Sequence, residues 1–249
     1  MGLVGVMPAQ RPHLKPGKII ATFLALIGVV GLSALGVWQL ERRVWKLAMI
    51  ERVDQRVHAA PVASPPPADW PTVTAADDEY LRIGVTGHFL NDQETLVRAA
   101  TELGSGYWVL TPFRTDQGFT VLVNRGFVPP DKRDPASRLV GQTAGETRVT
   151  GPLRMTEPKG GFLRKNDPSH DLWYSRDVAA IAAAHGLTGV APYFIDADAT
   201  TTGTWPRGGL TVIAFPDNHL VYAITWFSMA VLLAAGVIAA FRAERKRAG

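Results

Sequence analysis

The chain has 249 residues, of which 47% are hydrophobic and 19% charged, with a formal net charge of +4; this hydrophobic share is near the globular average and excludes a polytopic transporter. It has no cysteine, which excludes disulfides, thiolate zinc sites and haem attachment through a C-x-x-C-H motif. The positive excess gathers at the two ends beside apolar runs, with no basic stripe interleaved with aromatics in the middle, so the composition points to a membrane and not to nucleic acid.

Residues 1–18 hold Arg11, Lys15 and Lys18 and no acid, as expected of a cytoplasmic tail. Residues 19–40 (IIATFLALIGVVGLSALGVWQL) are uncharged; as a helix they span roughly 33 Å, enough for a bilayer core. The alternative is a cleaved signal peptide with a small-x-small site at Ala34-Leu35-Gly36, but the run is longer than the usual apolar region of roughly 7–15 residues. Val44, Leu47, Ala48, Ile50 and Val53 carry a helical pattern on through residues 41–60, and the proline-rich stretch 61–71 (PVASPPPADWP) ends it as a stiff linker.

Residues 72–218 are strand-like. Tyr80–Phe89, Thr95–Ala99, Trp108–Phe113, Thr120–Phe127, Thr147–Leu153, Tyr193–Asp196 and Thr211–Phe215 are short β-branched or aromatic runs punctuated by Gly, Pro, Asn and Asp. One helix is expected over Asp177–His185, stopped by Gly186. Gly104-Ser105-Gly106 reads as a turn and residues 128–147 as an exposed loop. The expected fold is therefore two transmembrane helices around an outer-side β-rich (α+β) domain, a small antiparallel barrel or sandwich. Residues 219–241 form the second span, and Arg242, Arg245, Lys246 and Arg247 in the tail 242–249 face only Arg207 in the fifteen residues before the span. That asymmetry places the C-terminus on the cytoplasmic or matrix side; two spans then bring the N-terminus to the same side and leave the domain outside, periplasmic or intermembrane.

No G-x-S-x-G, H-E-x-x-H, Walker or dinucleotide motif occurs, so no catalytic residue is expected. Five of the six histidines lie apart without metal-ligand spacing, and Asp77-Asp78-Glu79 reads as a solvated acidic turn. The boundary of the spans is more informative. Trp38, Arg42 and Trp45 recur at i, i+4, i+7, and His219, Tyr222 and Trp226 at i, i+3, i+7 with Thr225 beside them. An aromatic belt explains the rings; a histidine and an arginine at that depth also suit a planar ligand bearing carboxylates, such as haem. In the domain, Asn124-Arg125-Gly126 follows Val121–Val123 and is expected to be a hairpin turn, or a point where Arg125 docks a partner.

These residues also carry a family likeness. Gly36-Val-Trp38-Gln39-Leu-Glu-Arg42-Arg43-Val-Trp45-Lys46 resembles the G-x-W-Q-x-x-R-x-x-W-K signature of the Surfeit locus protein 1 family. Gly87-His-Phe89, Gly106 to Phe113, Val121 to Pro129, Pro192 to Asp196 and Asn218 to Phe227 follow in order. Phe127 stands where the family often has Trp, and Asp217 where a second Asn is common. The resemblance implies an assembly factor for haem-copper cytochrome c oxidase in a bacterial inner membrane, with the mitochondrial inner membrane second. It implies haem a as a transient cofactor, and the oxidase catalytic subunit, haem a synthase and membrane lipid as partners. On this reading His219 is an axial ligand of the haem iron, Trp38, Tyr222 and Trp226 lie against the macrocycle, and Arg42 meets a propionate. Asn124 and Arg125 dock the partner. The alternatives are a scaffold that holds oxidase subunits without touching haem, and an outer-side enzyme or sensor.

Overall fold

The computed structural model describes residues 16–161, 163–199, 203–211 and 215–248. In chain order the elements are α1 (Pro16–His58), β1 (Val62–Ala63), β2 (Arg82–Phe89), β3 (Thr95–Thr101), β4 (Gly104–Thr115), β5 (Thr120–Val128), β6 (Thr147–Met155), α2 (Val178–Ala184), β7 (Val190–Asp196) and α3 (His219–Ala248). They form two compact units, residues 1–50 with 215–249, and residues 51–214.

The first unit is a pair of helices. Within α1 no proline interrupts the chain between Pro16 at its first position and Pro61 beyond its end, so its 43 residues run as one helix about 65 Å long. Ile19–His58 and His219–Lys246 are long and apolar enough to cross a membrane, with mean hydropathy 2.4 and 2.2 and only 6% of the most apolar window of each buried. A core helix of a soluble protein would hide those side chains; here they point outward, as a span in lipid requires. The helices run antiparallel where they touch: Gly28 faces Leu233 and Gly36 faces the Phe227 ring. Ala223 and Ala230 are the buried small residues of α3. Small residues bring helix backbones close where the hydrophobic effect gives no drive.

The second unit is a closed barrel. The sheet order is β1-β2-β6-β7-β5-β4-β3, and pairing of β2 with β4 closes the five strands β2, β6, β7, β5 and β4. Strand pairs are antiparallel except β5–β7 and the short β1–β2. Closure removes the edges that an open sheet of this size would expose. Period-2 alternation then sorts side chains into two cores. Val121, Val123, Tyr193 and Ile195 point into the barrel with Ile83, Phe113 and Leu153. Leu122 and Phe194 point outward, under Trp173 and the Val178 and Ile181 face of α2. Covered on both sides, every residue of β5 is buried. Asp177 caps α2 by accepting from Ala180 N at 3.1 Å.

Six of the seven expected strands are seen; the seventh, Thr211–Phe215, falls largely on residues 212–214, outside the described residues. Gly104-Ser105-Gly106 opens β4 instead of forming a turn, and the chain reverses just before it. The stretch 128–147 is less free than a loop. It winds through two short 3-10 turns, Pro130–Lys132 and Pro135–Gly141, and is nailed down by Arg138, whose buried guanidinium pairs with Glu94. Asn124-Arg125-Gly126 is not a turn either: it lies inside β5 and is buried. Gly126, at φ +123, bends the strand without ending it, and the Arg207 carbonyl occupies the space a Cβ would need.

Candidate functional site

At the end of the helix pair, residues of α1 spaced 3, 4 and 3 apart make a polar seam below Gly36. Gln39 Oε1 accepts from His219 Nδ1 at 2.8 Å. Arg43 Nε donates to Asp217 Oδ2 at 3.0 Å, and Asp217 Oδ1 accepts from the His219 backbone N–H at 3.2 Å. Lys46 Nζ reaches the Pro216 carbonyl at 2.6 Å. With the Gln39 amide oxygen as acceptor, a neutral His219 ring donates from Nδ1, and Nε2 has no hydrogen-bond partner among the described residues.

The aromatic stripe of α1 runs beside this seam. Trp38 is 50% and Trp45 57% exposed, and exposed Arg42 stacks over the Trp45 ring at 4.8 Å. At about 100° per residue, Trp38 is turned about 100° from Gln39, whereas Arg42, three residues on, lies about 60° from it. On α3, Tyr222 is 54% exposed and Trp226 half-buried. Among the described residues, the hydrogen-bond partner of the His219 ring is Gln39. Gln39, Arg43, Lys46 and Asp217 went unassigned in the sequence reading. Gly36 was the signal for them, because a small residue marks the face that packs on another helix.

A second polar cluster lies in the barrel. Asp196, 3% exposed, accepts from four side chains: Asn124 Nδ2 at 2.7 Å, Arg176 at 3.2 Å, Arg154 at 3.1 Å and Thr211 Oγ1 at 3.1 Å. Arg154 also reaches Glu79 at 3.4 Å, and Arg176 pairs with Glu157. Burial pushes the Glu157 carboxyl up, but the Arg176 guanidinium outweighs it and holds the group below its ordinary 4.5. Asn124 accepts from Gly126 N at 3.1 Å, so this side chain locks the β5 bend to Asp196. Three carboxylates share two guanidinium groups, each charge with an opposite partner, and the network ties β5, β6 and β7 together.

Arg125 is one residue on, and successive side chains of a strand point to opposite faces. It is 6% exposed, donates to Asn91 Oδ1 at 3.1 Å and to the Gly141 carbonyl, and lies over the Phe89 ring at 4.7 Å. Burial, with the nearby charge of Arg138, lowers its pKa. The side chain walls a cavity of about 240 Å³ whose other walls include Phe89, Thr147, Arg148 and Asp198. Drug-sized ligands occupy roughly 300–1,000 Å³, so this cavity does not accept a macrocycle.

Comparison with known proteins covers most of the chain. The sequence model of the SURF1 family matches residues 26–231. The chain is 41% identical to Surfeit locus protein 1 of Rattus norvegicus over 212 residues, 78% of this chain and 67% of that protein. It is 39% identical to Surfeit locus protein 1 of Homo sapiens over 239 residues, 89% and 77% of the two chains. A SURF1-like protein of Monosiga brevicollis is 38% identical over 226 residues, 84% of each chain.

Proposed function

The chain belongs to the SURF1 family, and on that premise we propose that it is a membrane-anchored assembly factor for haem-copper cytochrome c oxidase that helps haem a reach the catalytic subunit. The observation that carries the haem part is the Gln39–His219 hydrogen bond at 2.8 Å, which leaves His219 Nε2 free to ligate. A bound haem supplies an iron that takes an axial nitrogen. His219 would provide that nitrogen, Gln39 fixes the tautomer, and Trp226 and Tyr222 on the next turns of α3 offer ring faces. Trp38 and Arg42 belong to the same end of α1, where Arg42, about one turn beyond Gln39, would meet a propionate and Trp38 would offer a further ring face. Haem a synthase is the natural donor and the oxidase catalytic subunit the natural acceptor. The exposed Trp38–Arg42–Trp45 stripe favours a second reading, a scaffold that holds the oxidase subunit through its spans and carries no haem.

The readings separate on a spectrum. Full-length protein purified in detergent from cells that make haem a should carry haem absorption, and His219→Ala should lose it while folding normally. Gln39→Leu should weaken haem retention by roughly 10-fold, the usual low-end effect of removing an outer-shell partner. An unaltered spectrum in His219→Ala would remove His219 as ligand and leave the scaffold.

The basic tail after α3 further supports a topology with both termini on the inner side of the membrane and the barrel on the outer side, which in a bacterial inner membrane are the cytoplasm and the periplasm. Reporter fusions at Gln10, Gln142 and Gly249 are expected to read inside, outside, inside. An outside signal at either terminus defeats this topology.

A further inference from the structure

We propose that the cavity beside Arg125 is a carboxylate-binding pocket that receives an acidic side chain of a partner protein. The inference is independent of the haem reading. Its first basis is charge. Arg125 is 6% exposed yet has no carboxylate within ion-pair distance; its two acceptors are neutral, the Asn91 amide and the Gly141 carbonyl. A buried cation is costly unless an anion compensates it. The acids nearby are already taken: Glu94 pairs with Arg138, while Asp198 pairs with Arg82 and accepts from Thr150 Oγ1 at 2.7 Å. Arg148, which also lines the cavity, is exposed and makes no hydrogen bond or ion pair among the described residues. Two arginines thus line one cavity whose wall carboxylate, Asp198, is already paired.

Size and surroundings narrow the occupant. A cavity of about 240 Å³ fits a single side chain. Beside it, on the same 3-10 turn that supplies the Gly141 carbonyl, Leu139 is 65% and Val140 90% exposed. An exposed apolar pair next to a buried arginine suits a protein interface, where arginine anchors are surrounded by contacts that exclude water. Arginine is the side chain suited to taking a carboxylate in a two-point grip. Asn124, whose face of β5 is spent on Asp196, has no part in it.

The test uses full-length protein in detergent, with sodium glutarate as the probe and sodium chloride at equal ionic strength as the control. Glutarate should raise the unfolding temperature saturably and chloride should not. Arg148→Gln, an exposed change, should raise the glutarate midpoint at least fivefold with little effect on the unliganded protein. Arg125→Lys should do the same if it folds. In cells, a photo-crosslinker at Val140 should join to a polypeptide, and Arg148→Gln should abolish that adduct. Equal stabilisation by chloride, an unchanged midpoint in Arg148→Gln, or an adduct with phospholipid instead of polypeptide would each overturn the assignment.

Discussion

Asp196→Ala is expected to destabilise the barrel by about 3–5 kcal/mol, the cost of breaking a buried ion pair by removing one partner. The side chain is 3% exposed and holds Arg154 and Arg176, whose side chains are 15% and 13% exposed. Glu79 and Glu157 can each keep one of these guanidinium groups, but neither reaches the centre of the cluster. The Asn124 amide and the Thr211 hydroxyl lose their acceptor as well. Thr211→Val, which removes one neutral donor and leaves both ion pairs, should cost about 1 kcal/mol. Chemical unfolding of the full chain in detergent, followed by near-ultraviolet circular dichroism, measures both. Equal losses in the two variants would mean that Asp196 contributes only hydrogen bonds and that its charge is idle.

Gly126→Ala should cost at least about 3 kcal/mol, through two additive causes. At φ +123 an alanine pays a backbone penalty of roughly 1–3 kcal/mol. Its Cβ would also collide with the Arg207 carbonyl and part the reciprocal 2.9 Å hydrogen bonds between Phe127 and Arg207, each worth about 1 kcal/mol. Gly145→Ala separates the causes, because Gly145 also has a left-handed φ of +85 but nothing lies within 4 Å of its missing Cβ. That control should lose only about 1 kcal/mol. Similar losses at both positions, in the same unfolding assay, would assign the effect to the dihedral alone.

Strand positions were legible in the sequence because β-branched runs such as Val121–Val123 and Thr147–Leu153 have few other uses. The pairing was not. Nothing local in Val190–Asp196 tells it to lie parallel to β5 and between β5 and β6, since that choice is made by contacts to residues about seventy positions away in β5 and about forty away in β6. The turn expected at Asn124-Arg125-Gly126 failed for a related reason: a glycine signals unusual backbone, and only the approach of residue 207 decides whether the chain bends or reverses. At the helix ends His219 was legible as an unusual residue for a span. Its hydrogen-bond partner Gln39 was not, because an uncharged amide among apolar residues carries no signal of its own. Between spans it is the small residue that marks contact, and Gly36 points to Gln39 and Arg43.

The place of β7 in the sheet has a consequence for shortened chains. Because β7 sits between β5 and β6, a polypeptide that stops before Val190 lacks the middle of its barrel, not its rim. Two strands would then present unpaired backbone, and the apolar faces of Ile83, Val121 and Leu153 would open to water. Such a product has no smaller fold to fall back on, and its exposed strands invite pairing with other chains. A premature stop upstream of residue 190 is therefore expected to cost the whole barrel domain. A stop after Thr211 but before α3 keeps all seven strands and the Asp198, Arg207 and Thr211 contacts in the chain and removes the second membrane helix.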